Sequence, residues 1–294
     1  MTDRMEFTGE RFTPECEREI WYEHLHRYAF AREFCAGRVV LDAACGEGYG
    51  AALLAPVARQ VTGIDLSDEA VKHASARYGE AMNLAFRVAD CTELPFGDAS
   101  FDVVVSFETL EHLAEQSTML SEFRRVLKAD GLLILSSPDR AEYSDRQGFD
   151  NPFHVRELYQ PELEALISEA FPAYRILGQK LVFHSAVFDP AGATQARLQT
   201  LTQDTELREG EIPHAPMYFI ALCGADESCL PDTASRVWLF DDRDESVYRH
   251  YHHEIRKNME AGGLLARHQA RIEALEQELA RARTPWWRRW KDRD

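Results

Sequence analysis

The chain is short of positive charge. Its 294 residues carry 33 Lys+Arg against 50 Asp+Glu, a formal net charge of −17. That balance argues against a general affinity for nucleic acid or anionic lipid, since both are held by cations. Paired thiols are missing as well. The six cysteines, Cys16, Cys35, Cys45, Cys91, Cys223 and Cys229, include no C-x-x-C pair, which suits reduced thiols in a cytoplasmic enzyme. No window holds about eighteen consecutive apolar residues, so no membrane-spanning helix is expected. The opening MTDRMEFTGERFTPECERE is too charged for a secretory leader. Internal repeats are absent, and so is the Gly-x-Gly-x-x-Gly turn of dinucleotide binders.

What is present is a core-forming composition, 45% hydrophobic, and a regular alternation of elements. Strand-like apolar runs fall at 38–42, 60–65, 84–88, 102–107 and 132–137, with helical stretches at 48–56, 68–78 and 117–128 between them. A further helix is expected over 16–36, and a closing pair of strands at 180–188 and 217–223. Ser67 reads as a helix N-cap, and Gly131 as the stop of the helix before it. Apolar strands alternating with helices predict an α/β fold, a mostly parallel sheet covered on both faces. Such sheets bind ligands outside the carboxyl ends of their strands. The residues just after each strand are therefore the first candidates for chemistry.

Three of those strand ends carry a nucleoside-type pattern. VVLDAACGEGYG ends the first strand in Asp42 and bends through Gly46 and Gly48 into a helix. Glycines there let the backbone approach a ligand, and the helix offers its unpaired N–H groups. Asp65 ends the second strand, where a carboxylate can accept from both hydroxyls of a ribose. Asp90 and Cys91 follow the third strand, placed to take an adenine amino group and ring. A lone acid at a strand end is more often a turn or cap; the three together, in this order, make a ligand site.

The segments VLDAACGEGYG, GIDLSDEAVKHA, ADCTELPFGDASFDVVVSFETLEHL and EFRRVLKADGLLILSSP resemble class I S-adenosylmethionine-dependent methyltransferases. The resemblance covers about residues 35–140. It implies a Rossmann-like, seven-stranded sheet with helices on both faces and an antiparallel last strand. It also implies S-adenosylmethionine as cofactor, with Asp42, Ala43, Cys45, Gly46 and Gly48 around its methionine part. Asp65 and Leu66 would hold the ribose, Asp90 and Cys91 the adenine, and Phe107 would lie beside the cofactor. In such enzymes the segment before the first strand often covers the cofactor. Here 1–37 would be that lid, with Arg11 on the cofactor carboxylate and His26, Arg27 and Tyr28 as further candidates; a docked helix with solvated charges is the plain alternative.

The acceptor must be read from other residues. If a helix starts at FETLEHL, Glu108, Glu111 and His112 share one of its faces. Together with His154 of NPFHVREL they could hold a divalent cation such as Mg, Mn or Zn. That pattern is similar to metal-dependent O-methyltransferases acting on small-RNA 3′-termini and ubiquinone precursors. Without a metal, His112 or His154 could be the general base, with Glu108 beside it, or the segment could simply pack against the cofactor. TGERF, EHLHRYAFA, FETLEHL and NPFHVREL look like methyltransferases of bacterial surface-polysaccharide biosynthesis. The reading is an O-methyltransferase for a sugar hydroxyl of a glycan or glycolipid intermediate. A small-molecule acceptor such as a quinone or secondary metabolite is one alternative, and a cofactor-binding scaffold is another.

The catalytic domain is expected over 38–225, followed by an acidic linker at 226–250. A helix is expected over 251–284, where Leu265, His268, Ile272, Leu275 and Leu279 follow a coiled-coil spacing interrupted by the histidine. Such a stretch suggests a homo-oligomer. The 285–294 tail, PWWRRWKDRD, combines Trp and Arg, a mix suited to peripheral contact with the inner membrane face or to docking a partner.

Overall fold

The computed structural model describes residues 19–187, 189, 191–192, 197–201, 206–210 and 212–283. It forms two units, one ending at Phe240 and one beginning at Asp241. The expected Arg11, Cys16 and the Trp/Arg tail lie outside the described residues.

The first unit runs α1 (Glu19–Arg32), β1 (Val39–Ala43), α2 (Tyr49–Leu54), β2 (Gln60–Asp65), α3 (Asp68–Tyr78), β3 (Leu84–Val88), β4 (Phe101–Ser106), α4 (Gln116–Val126), β5 (Leu127–Pro138), α5 (Gln160–Ala170), β6 (Ala173–Gln179), β7 (Gln199–Leu201), β8 (Leu207–Glu209) and β9 (Tyr218–Gly224). Seven strands form one sheet in the order β3-β2-β1-β4-β5-β9-β6, and β7 pairs with β8 apart from it. β9 is antiparallel to both neighbours, while β1 to β5 pair in parallel. The seven-stranded, mostly parallel expectation therefore holds.

The strand order reverses at β1 and β4, whose apolar runs are buried on both faces as parallel strands require. One face is covered by α4 and α5 through Met119, Leu120, Phe123, Leu163 and Ile167. The other is covered by α1 and α2 through Tyr28, Phe30, Tyr49 and Leu54. Ser67 caps α3 as read, its hydroxyl accepting from Ala70 N at 3.2 Å.

Two local expectations fail. The closing strand is not 180–188 but 173–179, whose pairing with β9 ends at Gln179 opposite Tyr218. The apolar run that follows forms no strand among the described residues, and Phe183 and Val187 are exposed. Gly131 does not stop a helix. α4 ends at Val126, and Gly131 sits within β5, which bends around a register shift between Phe101 and Val103 of β4. Helix α5 carries no strong sequence signal beyond Pro161 in its first turn, and the Tyr159 N–H donates to Glu162 at 3.0 Å to close that turn. Trp238 and Phe240, in the stretch read as linker, pack on α1 against Phe30 at 4.9 Å and His26 at 5.3 Å.

Among its described residues the second unit holds one helix, α6 (Ser246–Arg283), of 38 residues. No helix among the described residues is long and apolar enough to cross a membrane.

Candidate active site

The site lies where the carboxyl ends of β1, β2 and β4 meet. β1 ends at Asp42–Ala43, and the chain turns through Cys45 and Gly46, whose N–H groups bond Ile64 O at 2.7 Å and Asp65 Oδ2 at 2.9 Å. Gly48 is left-handed, with φ 93°. A Cβ on it would lie 2.6 Å from Ala74 Cβ, so this turn admits only glycine without displacing α3. Gly50 is equally constrained, because the Tyr28 ring occupies the place its Cβ would take.

Asp42 is fully buried. Tyr28 donates its hydroxyl to Asp42 Oδ1 at 3.0 Å, and Oδ2 has no hydrogen-bond partner. Burial pushes the carboxyl up to about 7. Tyr28 also meets Phe107 edge-on at 5.0 Å and Tyr49 at 5.2 Å. Asp65 takes Ser67 N on Oδ1 and Gly46 N on Oδ2, both at 2.9 Å. Leu66 projects outward, 71% exposed. The Asp90 carboxylate is exposed and engaged by Thr92 N at 2.8 Å, while Cys91 is buried and its thiol pushed up to about 12 by burial and the neighbouring Asp90. All the expected cofactor residues among those described thus lie along one edge of the sheet.

Glu47, in the middle of the glycine turn, has a different task. Its buried carboxylate faces α3 and takes Arg77 at 2.7 Å, His73 at 2.9 Å and Tyr78 at 2.9 Å. These bonds rivet the turn to the helix.

The expected helix at FETLEHL does not form. Leu110–His112 makes a single tight turn, and Glu108 stands before it with φ 50°. Ser136 hydroxyl donates to Glu108 Oε1 at 2.6 Å, and Arg27 lies 3.6 Å from the same oxygen. Glu108 is therefore drawn toward β5 and α1 and leaves the face shared by Glu111 and His112. Those two meet His154 instead, and the three offer ligand atoms within 4.8 Å of one another.

Backbone bonds explain why His154 arrives there. Val155 N and Arg156 N both donate to Glu111 O, at 2.8 and 3.0 Å, and Gln116 spans Leu110 O and Arg156 O. The two imidazoles lie 4.9 Å apart, nearly perpendicular. His112 Nδ1 bonds Phe153 O at 3.0 Å, and His154 Nδ1 is held by Glu157. Asn151 faces His154 Nε2 at 2.9 Å, and the Tyr143 ring stacks on His154 at 5.4 Å. Glu111 is buried, neither carboxylate oxygen has a hydrogen-bond partner, and burial together with Glu108 holds its carboxyl well above the usual range.

Tyr143, Glu157 and Tyr218 escaped the sequence reading. Glu157 was findable, three residues after His154. Tyr218 reaches the site because the antiparallel β9 begins at the edge where its neighbours end, and Arg27 lies over its ring at 4.3 Å. Tyr143 sits in an irregular turn that gives no signal.

Residues 41–135 match a family model described as a methyltransferase domain. A protein of Mycolicibacterium smegmatis described as a probable S-adenosylmethionine-dependent methyltransferase is 43% identical over 183 residues, covering 61% of this chain and 69% of that protein. The chain belongs to the S-adenosylmethionine-dependent methyltransferases. This methyltransferase is also similar to the O-methyltransferase cnsE of Penicillium expansum, at 36% identity over 133 residues, 43% of this chain and 47% of that one. A solved chain from the complex of the Haloferax volcanii Trm112 methyltransferase activator with its methyltransferase matches with a TM-score of 0.50 at 21% identity, over 69% of this chain and 90% of that one; it bears on the fold alone.

Proposed function

We propose that this methyltransferase methylates a hydroxyl group of a sugar unit in a glycan or glycolipid intermediate. The observation that carries the reading is the oriented pair His112 and His154, brought together just past the end of β4. His112 Nδ1 is held by a carbonyl and His154 Nδ1 by a carboxylate, which fixes both rings; an acceptor hydroxyl would displace the Asn151 amide from His154 Nε2 to give up its proton there. Exposed rings flank the pair, with Phe153 41% and Phe149 52% exposed. Such rings suit the apolar face of a pyranose.

Bound S-adenosylmethionine supplies an electrophilic methyl group on a sulfonium. Asp42 fits its cationic methionine end, since Oδ2 is a buried acceptor without a partner. Asp65 would take the ribose, and Cys91 with Asp90 the adenine. Phe107 and Tyr28, packed edge-on at 5.0 Å, would line the cofactor side of the site and keep water from it. The −17 charge speaks against an RNA acceptor.

Glu111, His112 and His154 also suit a divalent cation, and the two buried oxygens of Glu111, which take no hydrogen bond, support that reading. A cation there would lower the pKa of an acceptor hydroxyl.

The test offers sugar, glycolipid and phenolic acceptors with labelled cofactor, in chelator and with added Mg²⁺, Mn²⁺ or Zn²⁺. Methyl ethers on the sugars, lost in His154→Gln with cofactor affinity intact, are expected. Label appearing on phenols alone would overturn the sugar reading. Full activity in chelator would remove the cation and leave the histidines as base.

A further inference from the structure

Helix α6 carries an exposed apolar seam. Leu265, Ile272, Leu275 and Leu279 are 44 to 70% exposed along a 38-residue helix. An isolated helix draws little stability from propensity alone, and Gly262 with Gly263 weakens this one further. Placing Leu265, Ile272 and Leu279 at heptad position a puts His268 and Leu275 at d. The same register puts Asn258 at a, and Ala261 and Ala282 at d. Ile272 at a with Leu275 at d is the pairing that favours two parallel strands, and a single Asn at a pairs with its own copy and fixes register.

The flanking charges agree. Arg271 and Glu278 fall at g, Glu276 and Arg283 at e. In a parallel, in-register pair each g residue faces the e residue five positions on in the other chain. Arg271 then meets Glu276 and Glu278 meets Arg283, each twice by symmetry. The antiparallel arrangement opposes Arg271 to Glu278 but sets Gln269 against Glu276, leaving half as many attractive pairs.

We propose that α6 binds a second copy of this chain as a parallel, in-register two-stranded coiled coil over about residues 258–282. The occupant is fixed by the self-complementary charges, because the seam reads correctly only against itself.

Sedimentation of the full chain at about 100 μM should give the mass of two copies, since a coiled coil of three heptads is concentration-dependent. Arg271→Glu turns two attractions into repulsions and should raise the dissociation constant about tenfold. Arg271→Glu with Glu276→Arg should restore it. Cofactor affinity, measured on every variant, reports that the first unit is folded. A monomeric parent chain, an Arg271→Glu variant that dimerises unchanged, or rescue by Arg271→Glu with Glu278→Arg in place of Glu276→Arg would each overturn the proposal.

Discussion

Asp42 lets the energetics of the glycine turn be tested directly. It is fully buried, takes one hydroxyl from Tyr28, and leaves Oδ2 unpartnered. Burial raises its carboxyl from 3.8 to about 7. A rise of about 3 units corresponds to about 4 kcal/mol of cost in keeping the folded carboxylate ionised. The folded value exceeds the unfolded one, so the stability is fully present below about pH 4, is lost progressively toward about pH 7, and stays lost above it. Asp42→Asn removes that titration. Its carbonyl still accepts from Tyr28, while its amide at the Oδ2 position lacks an acceptor and costs about 1–2 kcal/mol. The variant should therefore be more stable than the parent by about 2–3 kcal/mol at pH 8, and no more stable at pH 4. Urea unfolding at both pH values measures the difference. A difference independent of pH refutes the argument. The cofactor's cation favours the ionised carboxylate, so cofactor affinity should rise with pH in the parent and stay level in Asp42→Asn.

Two further substitutions probe how the turn is held. Gly50→Ala drives a methyl group into the Tyr28 ring and should cost about 1–3 kcal/mol by urea unfolding, with weaker cofactor binding as Tyr28 shifts; a variant as stable as the parent would contradict the packing. Glu47→Ala leaves Arg77, His73 and Tyr78 without their shared acceptor and should cost about 2–3 kcal/mol, whereas Glu47→Gln, which keeps a carbonyl there, should cost less; equal losses would show that charge and geometry are not separable at this position.

The cofactor half of the site was legible because its signals are local. A strand end, a glycine turn and an N-cap are each written within about ten residues, and the parallel sheet needed only the alternation of apolar runs with helices. Glu47 shows the limit even there. The sequence shows an acid inside a ligand-binding turn, and only the packing of α3 reveals that it faces inward. The misplaced closing strand has a similar cause. Residues 180–188 have strand composition, but a strand needs a neighbour, and β9 is taken up by β5 on one side and by 173–179 on the other. Gly131 misled for the opposite reason: a glycine after a helix reads as its stop, whereas here it accommodates a bulge in a long buried strand.

The acceptor half is assembled from distant pieces, and the i, i+3, i+4 rule failed there because Glu108 found stronger partners than a helix would have given it. Ser136 and Arg27 come from β5 and α1, so no inspection of FETLEHL alone could place that side chain. What replaced it is Glu157, which orients His154 from within the same loop. If that bond sets the ring for proton transfer, Glu157→Gln should lower kcat about 100-fold while leaving cofactor affinity and the acceptor KM nearly unchanged, since no cofactor contact is touched. A purely structural role would move affinity and stability together with turnover. Stopped-turnover kinetics beside calorimetric titration separates the two, and a Glu157→Gln enzyme with undiminished kcat would assign the proton to His112 instead.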